Sequence, residues 1–165
     1  MKAVIGYLGL GTNLGDREKN LARAVAALDA GPELTVLRTS NIYETAPWGL
    51  TNQPDFLNMA VEVETSLSPH QLLDRVKVLE QTMGRKDGPR FGPRLIDIDI
   101  LLLGDRVVDE PDLNIPHAGL HLRAFVLAPL AEFAPDLVHP VLAITIAQLA
   151  LQVDGLDGVK PLVPS

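Results

Sequence analysis

The chain has 165 residues, enough for one domain with a sizeable core, and its hydrophobic and charged fractions of 47% and 21% are ordinary for a globular protein. It contains no cysteine, so disulfides and thiolate metal sites are excluded. A net charge of −7 argues against nonspecific nucleic-acid binding, and no apolar run approaches the ~18 residues of a membrane span. We expect one cytoplasmic, monomeric domain over 1–165, with about the last ten residues as a tail, that binds small molecules rather than nucleic acid or membrane.

The N-terminal part predicts a strand, a glycine-rich turn and a helix. Val4 to Leu10 is the predicted strand, Gly9 to Asp16 is the turn, and apolar residues at helical spacing predict a helix over roughly 16–30. Gly31 and Pro32 end that helix. Glycines between a strand and a helix can bind phosphate, but the spacing here matches neither GxGxxG nor a Walker A motif. Tight packing is the simpler explanation.

A second strand is predicted over Thr35 to Tyr43, followed by a loop over Glu44 to Asp55. Trp48, the only tryptophan, lies in this loop. Its ring either plugs the core or lines a ligand site, and the sequence favours neither. A third strand over Phe56 to Glu64 alternates cleanly. Its apolar face consists of Leu57, Met59, Val61 and Val63.

The opposite face of the third strand begins with an aromatic ring beside a carboxamide. Phe56 and Asn58 are two residues apart, so their side chains are neighbours on that face. Such a pair suits a flat heterocycle, because the ring can stack on it while the carboxamide forms paired hydrogen bonds. The alternative is a half-exposed aromatic residue beside a polar strand end, which is the commoner case for an isolated pair.

A second helix begins with strong local signals. Ser68 is the expected N-cap, Pro69 fits the first helical position, and Gln71 completes a capping box. Gly84 ends the helix, and a basic loop over Arg85 to Pro93 follows. The core stripe of the helix is Leu72, Val76, Leu79 and Met83.

The next strand carries two carboxylates in an apolar run. Asp97 and Asp99 point to one face, about 6–7 Å apart at a rise of ~3.3 Å per residue. The residues expected on the other face are Ile96, Ile98, Ile100 and Leu102. Two ionised carboxylates side by side repel each other, and a cation between them removes that penalty. Oxygen ligands suit Mg²⁺. The alternative is an exposed edge strand with two solvated aspartates.

The C-terminal part combines apolar helices with one chemically rich segment. The expected elements are a turn at Gly104–Asp105, a short strand over Arg106 to Val108, and helices over 126–134 and 145–152. His117 and His121 are four residues apart, but no third ligand is evident, so zinc is not expected. Phosphate contacts from His117 and Arg123 fit this segment better.

Six segments of the chain occur together, and in this order, in one known family. They are 9–16, 43–49, 53–58, 80–85, 90–99 and 116–125, of which the Phe-Gly-Pro-Arg-x-x-Asp-x-Asp match is the most specific. The chain therefore resembles the 6-hydroxymethyl-7,8-dihydropterin pyrophosphokinases of folate biosynthesis. The resemblance implies an α+β fold, with a ferredoxin-like antiparallel sheet flanked by helices in three αβα layers. It also implies transfer of diphosphate from ATP to the hydroxymethyl oxygen of the pterin, with release of AMP.

The resemblance also assigns roles to individual residues. The implied catalytic set is Asp97, Asp99, Arg94 and Arg90, of which the two aspartates would hold two Mg²⁺ ions. The implied nucleotide set is Glu80, Arg85, Lys86, Ile100, His117 and Arg123. The implied pterin set is Thr45, Trp48, Phe56, Asn58, Phe91 and Phe125, with Phe56 and Phe125 on either side of the ring.

Departures from the family pattern concentrate in the basic loop. After Arg85 the loop looks shorter and less basic than in well-known members, so Lys86 is the expected second phosphate contact, and Phe91 replaces a frequent tryptophan. We expect the 84–94 loop to order over bound ATP. Asp97 is the candidate for helping to remove the proton of the attacking alcohol. Two alternatives remain: a non-catalytic ferredoxin-like binder of nucleotide or pterin, and a phosphotransferase that moves only the γ-phosphate.

Overall fold

The structure is a computed structural model that describes residues 2–46, 52–84 and 95–162. The strands are β1 (Val4–Thr12), β2 (Leu34–Thr39), β3 (Tyr43–Thr45), β4 (Phe56–Thr65), β5 (Asp97–Leu103), β6 (Val108–Glu110), β7 (Leu113–Ile115) and β8 (Lys160–Pro161). The helices are α1 (Arg17–Leu28), α2 (Pro69–Thr82), α3 (Ala124–Phe133) and α4 (Ile146–Gln152), with 3₁₀ turns at Leu120–Leu122 and Leu156–Gly158.

Six of these strands form one antiparallel sheet. Its order is β5-β1-β4-β3-β8, and β2 pairs with the same edge of β4 as β3 does, further along the strand. Strands β6 and β7 form a separate hairpin. The chain order β1-α1-β2-β4-α2-β5 with β1 and β4 in the middle of the sheet is the split βαβ arrangement of ferredoxin-like folds. The expected fold is therefore confirmed.

Helices cover both faces of the sheet because both faces carry apolar side chains. Helices α1 and α2 cover one face, and α3 and α4 cover the other. The first core includes Leu8, Leu21, Leu28, Leu57, Leu72, Val76 and Ile98. The second core includes Ala60, Leu101, Leu102, Leu127, Leu130, Ile146 and Leu149. The three αβα layers follow from these two cores. None of the described helices has the length and apolar character needed to cross a membrane.

The predicted start of α2 is confirmed in detail. The Ser68 hydroxyl accepts from the backbone N–H of Gln71, and the Gln71 side chain accepts from the backbone N–H of Ser68. Pro69 occupies the first helical turn. Gly84 follows the helix with φ +94°, the left-handed conformation that glycine adopts without strain. The start of α2 is thus fixed locally, ahead of any tertiary contact.

Several boundaries differ from the sequence-based expectation. The predicted strand over 35–43 is two strands, β2 and β3, because the chain bends at Ser40, whose hydroxyl accepts from the backbone N–H of Ala60 on β4. The predicted strand over 106–108 lies two residues too early, and β7 was not predicted. Part of the stretch expected to be a tail forms β8, which pairs with β3.

A β-bulge between β1 and β5 places the side chain of one residue on the face of the sheet opposite to the predicted one. Tyr7 pairs with Leu102 and Leu8 pairs with Ile100, so Leu101 is the extra residue. The alternation predicted for Ile96 to Ile100 holds up to this point. Beyond it, Leu102 packs in the second core together with Leu101 rather than with the isoleucines. The expectation for Leu102 was therefore wrong, because the bulge shifts the alternation by one residue.

A buried carboxylate stabilises the junction between β1, β2 and β4. The Tyr7 hydroxyl donates to Oε2 of Glu62 at 2.8 Å, and Arg38 donates to both carboxylate oxygens at 3.0 and 2.7 Å. The Arg38 guanidinium also lies over the Phe133 ring, 5.1 Å from its centroid. The Arg38 hydrogen bonds, supported by Tyr7, lower the pKa of Glu62 although burial opposes them. Burial and the neighbouring carboxylate raise the pKa of Tyr7 to about 12.

This network predicts a pH-dependent contribution to stability. Because the pKa of Glu62 is lower in the folded state than its ordinary value of 4.5, its contribution is present above that pH and is lost as the pH falls through the folded-state pKa. We expect Glu62→Gln to lower the free energy of unfolding at pH 7. The difference in this free energy between the two proteins should become smaller as the pH falls below 4.5, the ordinary pKa of the group. Urea denaturation of both proteins across the acid range measures it. A difference that stays constant down to pH 3 would contradict the assignment.

Candidate functional site

A cavity of about 560 Å³ lies at the β5 edge of the sheet and is lined by residues from both faces. Its walls come from β1, β4 and β5, from the end of β3, from one side of α2, from the β6–β7 hairpin and from the start of α3. A volume of this size is typical of a site for a small ligand. Ten residues proposed from the sequence line it: Thr45, Phe56, Asn58, Glu80, Asp97, Asp99, Ile100, His117, Arg123 and Phe125.

The two carboxylates lie side by side on the cavity face of β5. Asp97 and Asp99 are both partly buried and both line the cavity, as their alternation predicts. Their partners across the sheet on β1 are Gly11 and Gly9, which also line the cavity. Since neither partner has a side chain, space is left open beside each carboxylate. Both glycines therefore lie in a strand and form the floor of the cavity. Gly9 was predicted in both the strand and the turn, whereas Gly11 was predicted in the turn alone.

This donor set fits a hard divalent cation. Two carboxylates supply only oxygen ligands, and the glycine floor leaves room for water or substrate oxygens to complete the coordination. An ideal Cβ on Gly9 would lie 3.4 Å from Leu101, and one on Gly11 would lie 2.9 Å from Oδ1 of Asn58. A side chain at Gly11 would thus collide with the Asn58 carboxamide, whereas one at Gly9 would meet Leu101 at an ordinary distance. The placement of both aspartates on the cavity face agrees with their alternation in the sequence, and their role as metal ligands stays a prediction.

His117 is oriented toward the carboxylate pair. Its Nδ1 accepts from the backbone N–H of Gly119 at 3.0 Å, so the other ring nitrogen carries the proton of the neutral imidazole. That nitrogen, Nε2, lies 3.7 Å from Oδ1 of Asp99. Burial lowers the pKa of His117, Asp99 opposes the shift, and Arg123 adds to it. The hydrogen bond from Gly119 thus fixes the ring, and the N–H of the neutral imidazole lies on the side of Asp99.

Glu80 connects α2 to the aspartate strand. It is only 4% exposed, and its Oε2 accepts from the backbone N–H of Ile98, between the two aspartates, at 2.8 Å. The contact fixes β5 relative to the helix. Glu80 also lines the cavity. It therefore combines a structural contact with a position where it can reach a ligand.

The other end of the cavity is lined by two aromatic side chains and a carboxamide. Phe56 and Phe125 line it from β4 and α3. Asn58 is buried, and its Nδ2 donates to Oγ1 of Thr45 at 2.9 Å, which fixes the orientation of the amide. The Arg123 guanidinium lies 5.8 Å from the centroid of the Phe125 ring. This is the ring and carboxamide arrangement that the third strand predicted.

Asn13 and Arg17, which follow the glycines of the cavity floor, form hydrogen bonds that connect the loop before β4 to the rest of the domain. The buried Asn13 donates from Nδ2 to Oε1 of Gln53 and to the Pro54 carbonyl, both at 2.9 Å. Arg17 donates to Glu44 at 2.7 Å and to the Asp55 carbonyl at 3.0 Å. These contacts hold the chain just before Phe56. They support the packing explanation of this motif over the phosphate-binding one.

The sequence reasoning missed several residues that line the cavity. Lys77 lies on the side of α2 that also presents Leu73 and Glu80, a spacing of four and three residues that places all three on one helix face. Asp112 and Asn114 belong to the β6–β7 hairpin, whose short strands gave a weak signal. Six proposed residues lie outside the described residues: Trp48, Arg85, Lys86, Arg90, Phe91 and Arg94. The expected lid over 84–94 lies outside them too, except for Gly84.

The fold and this cavity together define a class of protein. A three-layer domain that brings paired carboxylates, an oriented histidine and a ring with a carboxamide into one cavity has the features of an enzyme for small molecules. The family described as 7,8-dihydro-6-hydroxymethylpterin-pyrophosphokinase (HPPK) matches residues 7–135, and the chain belongs to this family.

Two relatives are similar over most of their length. The 2-amino-4-hydroxy-6-hydroxymethyldihydropteridine pyrophosphokinase of Methylorubrum extorquens is 45% identical over 154 residues, which cover 93% of this chain and 98% of the relative. The protein of the same name from Bacillus subtilis is 48% identical over 128 residues, 78% of this chain and 77% of the relative. The expectation of a pyrophosphokinase enzyme is thereby confirmed.

Solved structures support the fold. A crystal structure of wild-type Plasmodium falciparum HPPK-DHPS with pteroate matches with a TM-score of 0.73 at 20% identity and covers 92% of this chain. This chain spans 42% of that longer protein. A similarity at this level of identity concerns the fold alone.

Proposed function

We propose that this chain transfers diphosphate from ATP to the hydroxymethyl oxygen of 6-hydroxymethyl-7,8-dihydropterin, with Mg²⁺, and releases AMP. The observation that carries the proposal is that Asp97 and Asp99 share one cavity with the Phe56 and Asn58 pair. A phosphoryl-transfer enzyme needs its donor and acceptor sites side by side with the charge neutralisation between them. Family membership and the names of the relatives support the same reaction.

The pterin belongs at the aromatic end of the cavity. Phe56 and Phe125 supply apolar ring surfaces for a flat bicycle, and the Asn58 carboxamide offers both a donor and an acceptor to its edge. The Thr45 hydroxyl holds that carboxamide in place. Trp48 and Phe91 are proposed, from the sequence alone, to complete this end.

The nucleotide belongs at the other end, between α2 and the β6–β7 hairpin, because the pterin is assigned to the aromatic end. Asp97 and Asp99 would hold the metal, with two Mg²⁺ ions proposed, and bound Mg²⁺ would neutralise charge on the triphosphate. The further nucleotide contacts proposed from within the cavity are Glu80, Ile100, His117 and Arg123. Arg85, Lys86, Arg90 and Arg94 are proposed as phosphate contacts from the sequence alone.

The reaction proposed is a single displacement at the β-phosphorus of ATP. The hydroxymethyl oxygen forms a bond to that phosphorus, the bond from the phosphorus to the α,β-bridging oxygen breaks, and AMP leaves with the electron pair. The alcohol loses its proton, and we propose that Asp97 assists this loss. His117, whose N–H is directed toward Asp99, is placed to donate to phosphate oxygen atoms during the transfer.

Product analysis tests the proposal and separates it from both alternatives. The purified chain is incubated with ATP, Mg²⁺ and the hydroxymethyl dihydropterin, and nucleotides are separated by anion-exchange chromatography. We expect AMP, formed in equal amount to the pterin diphosphate and dependent on both Mg²⁺ and the pterin. ADP as the product would indicate transfer of the γ-phosphate alone. Binding of both ligands without any nucleotide product would indicate a non-catalytic binding module.

A further inference from the structure

Outside the carboxylate pair, one cluster of titratable side chains lies at the rim of the cavity. His70, in the first turn of α2, meets Glu110 and Asp112 of the β6–β7 hairpin. Its Nε2 lies 2.6 Å from Oε2 of Glu110 and 3.6 Å from Oδ1 of Asp112. The shorter distance corresponds to a direct contact between the two side chains. The cluster is exposed, so its own energy is small, and its importance depends on what it connects.

The cluster joins the two walls of the nucleotide end of the cavity. On α2, Leu73 and Lys77 line the cavity, and His70 lies one turn before Leu73 on the same side of the helix. On the hairpin, the turn Pro111–Asp112 and the start of β7 line the facing wall. His70 therefore closes the rim at the point where the helix wall and the hairpin wall meet.

The hairpin is held unevenly along its length. Leu113 and Ile115 of β7 are buried in the first core, and the backbone N–H of His117 donates to the Leu101 carbonyl, so the C-terminal side of the hairpin is fixed to the sheet. The other side is exposed at Asp109 and Glu110. His70 reaches this exposed side from α2 through its contacts with Glu110 and Asp112.

We propose that His70 is a positioning residue that, through Glu110, holds the β6–β7 turn against α2 and sets the width of the nucleotide end of the cavity. It does not touch the reacting atoms. Its effect is on the fraction of molecules in which the facing walls are at binding distance, and a lower fraction weakens nucleotide binding in proportion. The proposal rests on the assignment of the nucleotide to this end of the cavity.

The contact also affects the charge at the rim. Asp112 lines the cavity and lies beside His70, so the imidazole occupies the space between two carboxylates that would otherwise face an anionic nucleotide. Loss of the imidazole leaves Glu110 and Asp112 without this partner. A looser turn would then act against nucleotide binding.

Two single variants and their combination test the proposal. We expect His70→Ala and Glu110→Ala each to raise the Kd for α,β-methylene-ATP by about two- to five-fold, as an exposed ion pair allows. The Kd is measured by calorimetry with Mg²⁺ as the one divalent metal in the buffer. The kcat at saturating ATP and the KM for the pterin should not change. The Kd of the double variant for the nucleotide should be no higher than that of the single variant with the higher Kd, because both substitutions remove the same contact. Glu110→Gln, which keeps an oxygen atom at this position, should restore part of the loss.

A control pair lies on another side of the same helix. Glu33 is 4.0 Å from Arg75 of α2, and neither residue lines the cavity. Glu33→Ala should leave nucleotide binding unchanged. If it weakens binding as much as His70→Ala does, the effect is a general one on α2 and the proposal fails. Additive losses in the double variant, or a matching rise in the KM for the pterin, would also overturn it.

Hydrogen exchange separates this proposal from the proposed function. Without ligands, the amides of 110–114 should exchange about two- to five-fold faster in His70→Ala than in the parent protein. If this holds while the parent forms no AMP, the positioning role stands and the proposed reaction fails. If the parent forms AMP but exchange in the hairpin is unchanged in both single variants, the reaction stands and the positioning role is wrong.

Discussion

Asp97→Asn is expected to reduce AMP formation by about 10³-fold or more, because the amide cannot supply the charge that a bound divalent cation needs. The substitution keeps the size and the strand position of the side chain. It also removes one of two neighbouring negative charges on β5, so the fold should be retained and the midpoint of thermal unfolding should change by only a few degrees. Steady-state rates at saturating ATP and pterin, with thermal unfolding followed by circular dichroism, measure both quantities.

Asp105→Asn is the matched control. Asp105 is exposed in the turn directly after β5 and does not line the cavity. The same chemical change eight residues further along should therefore leave the rate close to that of the parent. If Asp97→Asn retains near-normal turnover, or if both variants lose activity equally, the role assigned to the paired carboxylates is wrong.

Asn58→Ala is expected to lower kcat/KM for the pterin by about 10²-fold, because a buried heterocycle loses its hydrogen-bonding partner at this end of the cavity. The Kd for the nucleotide should change little, since Asn58 lies on β4 and belongs to neither the α2 wall nor the hairpin wall. Initial rates at varied pterin concentration, together with calorimetry of α,β-methylene-ATP, separate the two effects. Equal losses for pterin and nucleotide would contradict the assignment.

A second variant tests the orientation of Asn58 without removing it. A methyl group at Gly11 would lie 2.9 Å from Oδ1 of Asn58, which is closer than such atoms approach, so Gly11→Ala should turn the carboxamide and raise the KM for the pterin. Gly9→Ala adds the same methyl group at an ordinary contact distance of 3.4 Å from Leu101. It should affect the KM for the pterin much less. The reverse order would show that Asn58 does not recognise the pterin.

Local sequence signals predicted the parts of the site that depend on a single element. The alternation of β5 placed Asp97 and Asp99 on one face, and the alternation of β4 placed Phe56 beside Asn58. These inferences need only the two-residue period of a strand. The capping box that opens α2 was predictable for the same reason, since all its members lie within four residues.

Features that depend on pairing between elements could not be read from the sequence. The shift of Leu102 to the second core follows from the β1–β5 bulge, which no pattern within β5 reveals. Gly9 and Gly11 looked like a turn because glycine is common there, and only their register opposite the aspartates shows that they leave space in a strand. The first strand of the β6–β7 hairpin was predicted two residues too early and the second was missed, because each has only three residues.

The proposed reaction depends on Asp97 and Asp99 together holding the metal at which the ATP phosphates would bind. A crystal grown with Mn²⁺, α,β-methylene-ATP and the hydroxymethyl dihydropterin, with data collected at the manganese absorption edge, tests this directly. We predict anomalous density with carboxylate oxygens of both aspartates about 2.1 Å away, at the distance and octahedral geometry usual for such a small divalent ion. Density only at the exposed His70, Glu110 and Asp112 cluster, with none beside Asp97 and Asp99, would contradict it.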